Sequence, residues 1–181
     1  MSMQVEISTG RNGMTNHERQ MDRVNGSLDR LCHRYKNLSD AIGYLQIKPC
    51  TKSTPKAMTD GFCITFNPDY TEGCTEDQLD TLMMHEILHI IDWHFAGNED
   101  KDPYLWNLSC DFRVNSILRR LNFNLEPLSF DNPKFDDLSP HEIYDQISAI
   151  RAEILARIDE CEATITTSLK AINGRIRKEE R

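Results

Sequence analysis

The run His85-Glu86-Ile87-Leu88-His89 sets two imidazoles four residues apart, with a carboxylate directly after the first. On a helix, residues four apart share one face, one turn above the other, so both rings can reach a single metal ion. A carboxylate beside the first histidine can reach water held at that ion and take its proton. This is the HExxH pattern, and the chemistry it predicts is zinc-assisted hydrolysis with Glu86 as general base. The plainer alternative is two surface histidines and a solvated glutamate. The surroundings disfavour it, because Leu79, Leu82, Met83, Ile87, Ile90 and Ile91 recur at helical spacing around the motif. Thr75 followed three residues on by Gln78 is a capping-box start for that helix.

A catalytic zinc site takes three protein ligands and keeps a position for water. Two residues compete for the third place. His94 lies five residues past His89, and on a continuing helix five residues would turn it about 140° off the metal face. The intervening Ile90-Ile91-Asp92-Trp93 contains no glycine to make a turn. Asp111 lies 22 residues past His89, on a second apolar helix, with Asn107 and Asn115 one turn to either side. Carboxylate oxygen is a suitable zinc ligand, so Asp111 is the preferred third ligand and His94 the alternative. His94, Asn107 and Asn115 are then candidates to orient the ligands from behind or to stabilise the transition state. Iron, manganese or nickel could occupy the same donor set.

The elements that must position these residues can be read around them. Apolar and aromatic residues from Met21 to Leu45 step by threes and fours, which predicts one long core-facing helix. Pro49 ends it, and residues 51–55 read as a loop. Asp60-Gly61 is a turn signal, and Phe62, Ile64 and Phe66 alternate with Cys63 and Thr65, the period of a strand. Zinc peptidases commonly bind substrate along a sheet edge, so residues 62–66 are the candidate edge for strand addition. Leu105, Trp106, Leu108, Phe112, Val114, Ile117, Leu118 and Leu121 mark the second helix, and residues 122–140 read as a loop. Ser139-Pro140-His141-Glu142 opens another helix with a capping box and a proline in its first turn. The expected class is α+β, mostly helical, with a small antiparallel sheet or hairpin, the HExxH helix and a long C-terminal helix.

That last helix has a period of its own. Ile143, Ile147, Ile150, Ile154, Ile158, Cys161, Ile165, Leu169, Ile172 and Ile176 step by 4, 3 and 4 in an 11-residue repeat, which implies a nearly straight stripe. A helix of about 35 residues is about 50 Å long, more than a domain of this size needs. It must fold back along the Met21–Leu45 helix or pair with another subunit, and self-association is the expectation. The domain plan is therefore a poorly ordered stretch at 1–13, one domain carrying the HExxH site at 14–147 and a helical extension at 148–181.

With 181 residues and a net charge of −8, the chain suits one domain and disfavours nucleic acid and anionic membranes as partners. The six cysteines form no CxxC pair, and the N-terminal residues show no secretory signal pattern. Free thiols in a reducing cytoplasm follow. Cys63 and Cys110 fall near the proposed site, but isolated cysteines of this kind are more often small core residues than ligands.

Thr59-Asp60-Gly61, Asn67-Pro68, the HEILH helix with His94, Leu105 through Asn115 and His141-Glu142-Ile143-Tyr144 follow one another in order. This ordered set, over roughly residues 20–147, resembles the putative metallopeptidase domain family of bacteria and their phages. Members of that family often precede a von Willebrand factor A-like domain, and their genes lie near MoxR-type ATPases. The resemblance implies a zincin-like fold and makes Asp111 a motif position. The family commonly carries an arginine where this chain has Gly97, and an isoleucine-rich helix stands where the von Willebrand-like domain would follow; a stand-alone phage-type protein is the expectation. The function expected is a zinc-dependent metallopeptidase acting on a protein or peptide substrate. The alternative is a non-catalytic zinc-binding module whose long helix mediates assembly.

Overall fold

The computed structural model describes residues 14–50, 54, 56–96, 98–125 and 130–179, with side chains through residue 170. The stretch 1–13, most of 51–55 and Gly97 lie outside the described residues, and with them the expectations made there.

Helix α1 (Asn16–Arg34) starts on a complete capping box between Thr15 and Glu18. It sends Val24, Leu28 and Leu31 into the core. The single long helix expected to Leu45 is not formed. The chain leaves helical geometry at Tyr35 and resumes in a short α2 (Leu38–Ile42). Tyr35 stacks on Phe123 at 6.2 Å, and the Arg34 guanidinium sits over both rings. Leu38 is buried beyond the break. An apolar stripe survives such a break because both helices still turn one side to the same core, so periodicity alone does not reveal it.

The sheet has three strands in the order β1-β3-β2, with β1 (Gln46–Pro49) parallel to β3 (Cys63–Phe66) and β2 (Ala57–Thr59) antiparallel to it. It is therefore mixed, not the antiparallel sheet or hairpin expected. The candidate edge at residues 62–66 is also corrected: β3 is the central strand, and β2 is the edge. Ile64 and Phe66 are fully buried, as the alternation implied, while Phe62 precedes the strand and is 76% exposed. Both edge strands are short and weakly apolar, which is why the pattern did not mark them. Between β2 and β3, Gly61 adopts φ 92°, and Asp60 Oδ1 accepts from the backbone N–H groups of Phe62 and Cys63.

After a short α3 (Pro68–Glu72), α4 (Glu76–Ile91) begins on the predicted Thr75–Gln78 box. Its Leu79, Met83, Met84, Ile87 and Leu88 are buried, each contributing about 1.5–3 kcal/mol of apolar burial. Polar contacts join it to α1: Arg30 pairs with Asp80 at 2.6 Å and Arg23 with Glu76 at 3.3 Å, while Arg23 also donates to the carbonyls of Thr71 and Cys74 just before α4. Helix α5 (Pro103–Arg120) is capped by Asp102, which accepts from Tyr104 and Leu105 N–H groups. The following loop carries one 3-10 turn (Pro133–Phe135), where Phe135 packs edge-on against Phe112. Arg119 pairs there with Asp131 and Asp136.

Helix α6 (Pro140–Glu179) opens on the predicted Ser139–Glu142 box and runs 40 residues, about 60 Å, without a break at residue 147. Its first turns pack on α5. Residues 151–170 are exposed, so this helix does not fold back along α1.

Candidate metal centre

Helix α4 holds His85 and His89 one turn apart with ring centroids at 4.8 Å. Their Nε2 atoms converge to 3.0 Å. Helix α5 crosses beside them and presents Asp111, whose Oδ1 lies 3.1 Å from His89 Nε2 and 3.3 Å from His85 Nε2. Among the described residues this trio is the group able to hold a metal ion. A tetrahedral ion with arms of about 2.0–2.1 Å spaces its ligands by about 3.3 Å, so the three donor atoms stand at nearly the separation such an ion needs.

Each of the three has a partner behind it. His85 Nδ1 lies 3.2 Å from Asn115 Oδ1, and Asn115 Nδ2 donates to the Phe130 carbonyl at 2.8 Å. A carbonyl only accepts, so the amide must turn its oxygen toward His85. His85 Nδ1 then carries the proton, and the Nε2 lone pair faces the trio. Asn107 Nδ2 donates to Asp111 Oδ2 at 3.2 Å, which leaves Oδ1 for the centre. His89 Nδ1 is 3.1 Å from His94 Nδ1.

His94 reaches that position because α4 ends before it. Asp92 caps the helix, and Trp93 takes a left-handed φ of 52° in place of the missing glycine. The His94 N–H then donates to the His89 carbonyl at 3.2 Å. The ring meets the far nitrogen of His89, not the face shared with His85 and Asp111. Trp106 Nε1 donates to the His94 carbonyl at 2.9 Å and ties this turn to α5.

The charges suit a cation. Burial works to raise the Asp111 pKa, but hydrogen bonds from His85 and His89 outweigh it and hold the carboxyl at about 2. Burial opposes charge on His85, yet the Asp111 hydrogen bond and the Glu86 charge move its pKa up. Glu86, only 6% exposed, has its pKa raised by burial against the pull of His85 and His89. His94 is pushed down to about 3 by burial and then by His89.

Above the trio lies a cleft of about 690 Å³ that also reaches Glu86, His94 and Asn107. Lys56 and the β2 residues Ala57, Met58 and Thr59 form one wall, and Leu82, Leu125 and Phe130 give it apolar surface. The β2 wall and the Phe130 carbonyl were not foreseen. A three-residue strand has too few positions to show a period, and a backbone acceptor leaves no trace in residue type. Cys110 is buried in α5 with its thiol pushed up to about 12 by burial, and Cys63 sits beside Thr65; neither joins the trio.

The family model described as "Putative metallopeptidase domain" matches residues 24–177. The chain belongs to that family. The match runs from α1 through the sheet, α4 and α5 and along most of α6. No curated protein and no solved structure matches the chain. Among the described residues, no helix is long and apolar enough to cross a membrane.

Proposed function

We propose that this chain is a zinc-dependent peptidase, with His85, His89 and Asp111 as the metal ligands and Glu86 as the general base. The observation that carries the reading is the convergence of two Nε2 atoms and one carboxylate oxygen within 3.3 Å, beside a buried glutamate at the base of an open cleft. A bound divalent cation supplies Lewis acidity, which acidifies water and polarises a carbonyl. Glu86 takes the proton of the attacking water on its carboxylate and returns it to the leaving amide nitrogen. A raised pKa suits that exchange, because the group must both accept and release a proton near neutrality. Asn115, Asn107 and His94 hold the ligands in their tautomer and orientation. The substrate is an extended peptide laid along the β2 edge, where backbone pairing sets its path across the cleft. The free thiols fit a reducing, cytoplasmic setting.

The test is elemental analysis with a peptidase assay on unfolded protein substrates. We expect one zinc per chain in the wild type, none in Asp111→Ala, and full zinc with turnover reduced at least ~100-fold in Glu86→Gln. Full activity in Glu86→Gln would remove the general base from the account. A second reading, a non-catalytic zinc-binding module that assembles through α6, draws on the exposed isoleucine stripe of that helix. Zinc without turnover on any peptide would favour it.

A further inference from the structure

Helix α6 begins inside the body and leaves it. Ile143 is fully buried and Ile147 half-buried, but Ile150, Ile154, Leu155, Ile158, Ile165 and Leu169 are 47–58% exposed. Single exposed apolar side chains are ordinary, whereas a continuous row about 29 Å long marks a contact surface. Cys161 lies on the same row and is exposed.

The spacing of the row says what can cover it. Its 11-residue repeat spans three turns, so the row runs nearly straight along the helix. A second helix can follow it over its whole length only by carrying a matching repeat. Another copy of α6 does so by construction. Charge points the same way. Arg157 and Glu162 are five residues apart and flank the row on opposite sides, so in a parallel, in-register pair each faces the other across the seam, twice by symmetry. An antiparallel pair centred on this segment puts like sides of the row together, so Arg157 and Glu162 would not meet across the seam. It would also lay the partner's distal half over Ile143, which the body covers.

We infer that two copies of this chain join through parallel, in-register α6 helices along Ile150, Ile154, Ile158, Cys161, Ile165 and Leu169. Among the described residues, none of α6 lines the cleft, so pairing leaves both clefts open and does not depend on the hydrolase reading.

The experiment is sedimentation of the full chain at about 50 μM, where a stable dimer is populated. The wild type sediments with the mass of two chains. Ile154→Glu/Ile158→Glu sediments as one chain with an unchanged near-ultraviolet spectrum from the buried Trp106. Arg157→Glu weakens the pair roughly tenfold, and adding Glu162→Arg restores it. Mild oxidation links the wild type through Cys161, and Cys161→Ser abolishes the link. A wild-type mass of one chain, or of more than two, overturns the inference, as does a dimer that survives Ile154→Glu/Ile158→Glu. A dimer that cannot be linked through Cys161, or a charge swap that does not recover, overturns the parallel register.

Discussion

The Nδ1 atoms of His89 and His94 stand 3.1 Å apart, and only one of them can carry the proton between them. If His89 is to offer its Nε2 lone pair to a cation, its Nδ1 must be the donor and His94 Nδ1 the acceptor. The low pKa of His94 keeps that acceptor neutral. His94 Nε2 then carries a proton with no hydrogen-bond partner among the described residues, and Asp92 Oδ2 is 3.8 Å away. His94 thus stands behind His89, at the ring nitrogen turned away from His85 and Asp111.

Replacing His94 should therefore weaken the metal without abolishing it. We expect His94→Phe to bind one zinc per chain with affinity lowered about 10–100-fold, the usual effect of losing an orienting partner. Competition with a chelator of known affinity reads this directly. Complete loss of zinc would make His94 a ligand and unseat Asp111.

Asn115 holds His85 with one end of its amide and the Phe130 carbonyl with the other. Asn115→Ala releases both. Stability should fall by about 1 kcal/mol, because a half-buried imidazole and a half-buried backbone carbonyl lose their partner. Zinc affinity should fall about tenfold or more as the His85 tautomer is freed. Urea titration of the zinc-free protein separates the first effect from the second.

Gly61 is required twice, by its φ of 92° and by the Phe95 ring, which would lie 3.1 Å from an added Cβ. Gly61→Ala should cost about 1–2 kcal/mol from the backbone alone. In a chain of this size that lowers the melting temperature by about 2–8 °C. Adding Phe95→Ala removes the close contact but not the backbone strain. A Gly61→Ala protein that melts with the wild type would mean that the β2–β3 turn relaxes freely.

Acid should destabilise the zinc-free protein through His94. Burial, then His89, hold its folded pKa at about 3, below the unfolded value near 6.5. Between these values the unfolded chain binds a proton that the folded chain refuses. The contribution is thus fully present above about pH 6.5 and declines as the pH falls toward 3. The urea midpoint of chelator-treated wild type should drop more steeply from pH 7 to pH 5 than that of His94→Phe. Parallel slopes would assign the acid sensitivity elsewhere.

Much of the centre was legible in residue type and spacing. Four-residue spacing places His85 and His89 on one helix face whatever the tertiary structure, and the Thr75 and Ser139 boxes are local hydrogen-bond patterns that mark helix starts by themselves. Asp111 with Asn107 and Asn115 could be singled out because one-turn spacing is also local. What spacing could not decide was how α4 and α5 cross, and so whether Asp111 or His94 stands with the two Nε2 atoms. Packing of the two helices brings Asp111 there, while the left-handed turn at Trp93 carries His94 to the opposite nitrogen of His89. The sheet order was likewise beyond the strand pattern, since β2 has only three residues, β1 places Ile47 among Gln46, Lys48 and Pro49, and pairing is a long-range choice. The break at Tyr35 was hidden because Phe123, which it stacks on, is distant in the chain. Local hydrogen bonding and helical geometry are properties of the sequence alone; crossing angles, sheet order and the partner behind each ligand arise only when distant segments compete for the same core.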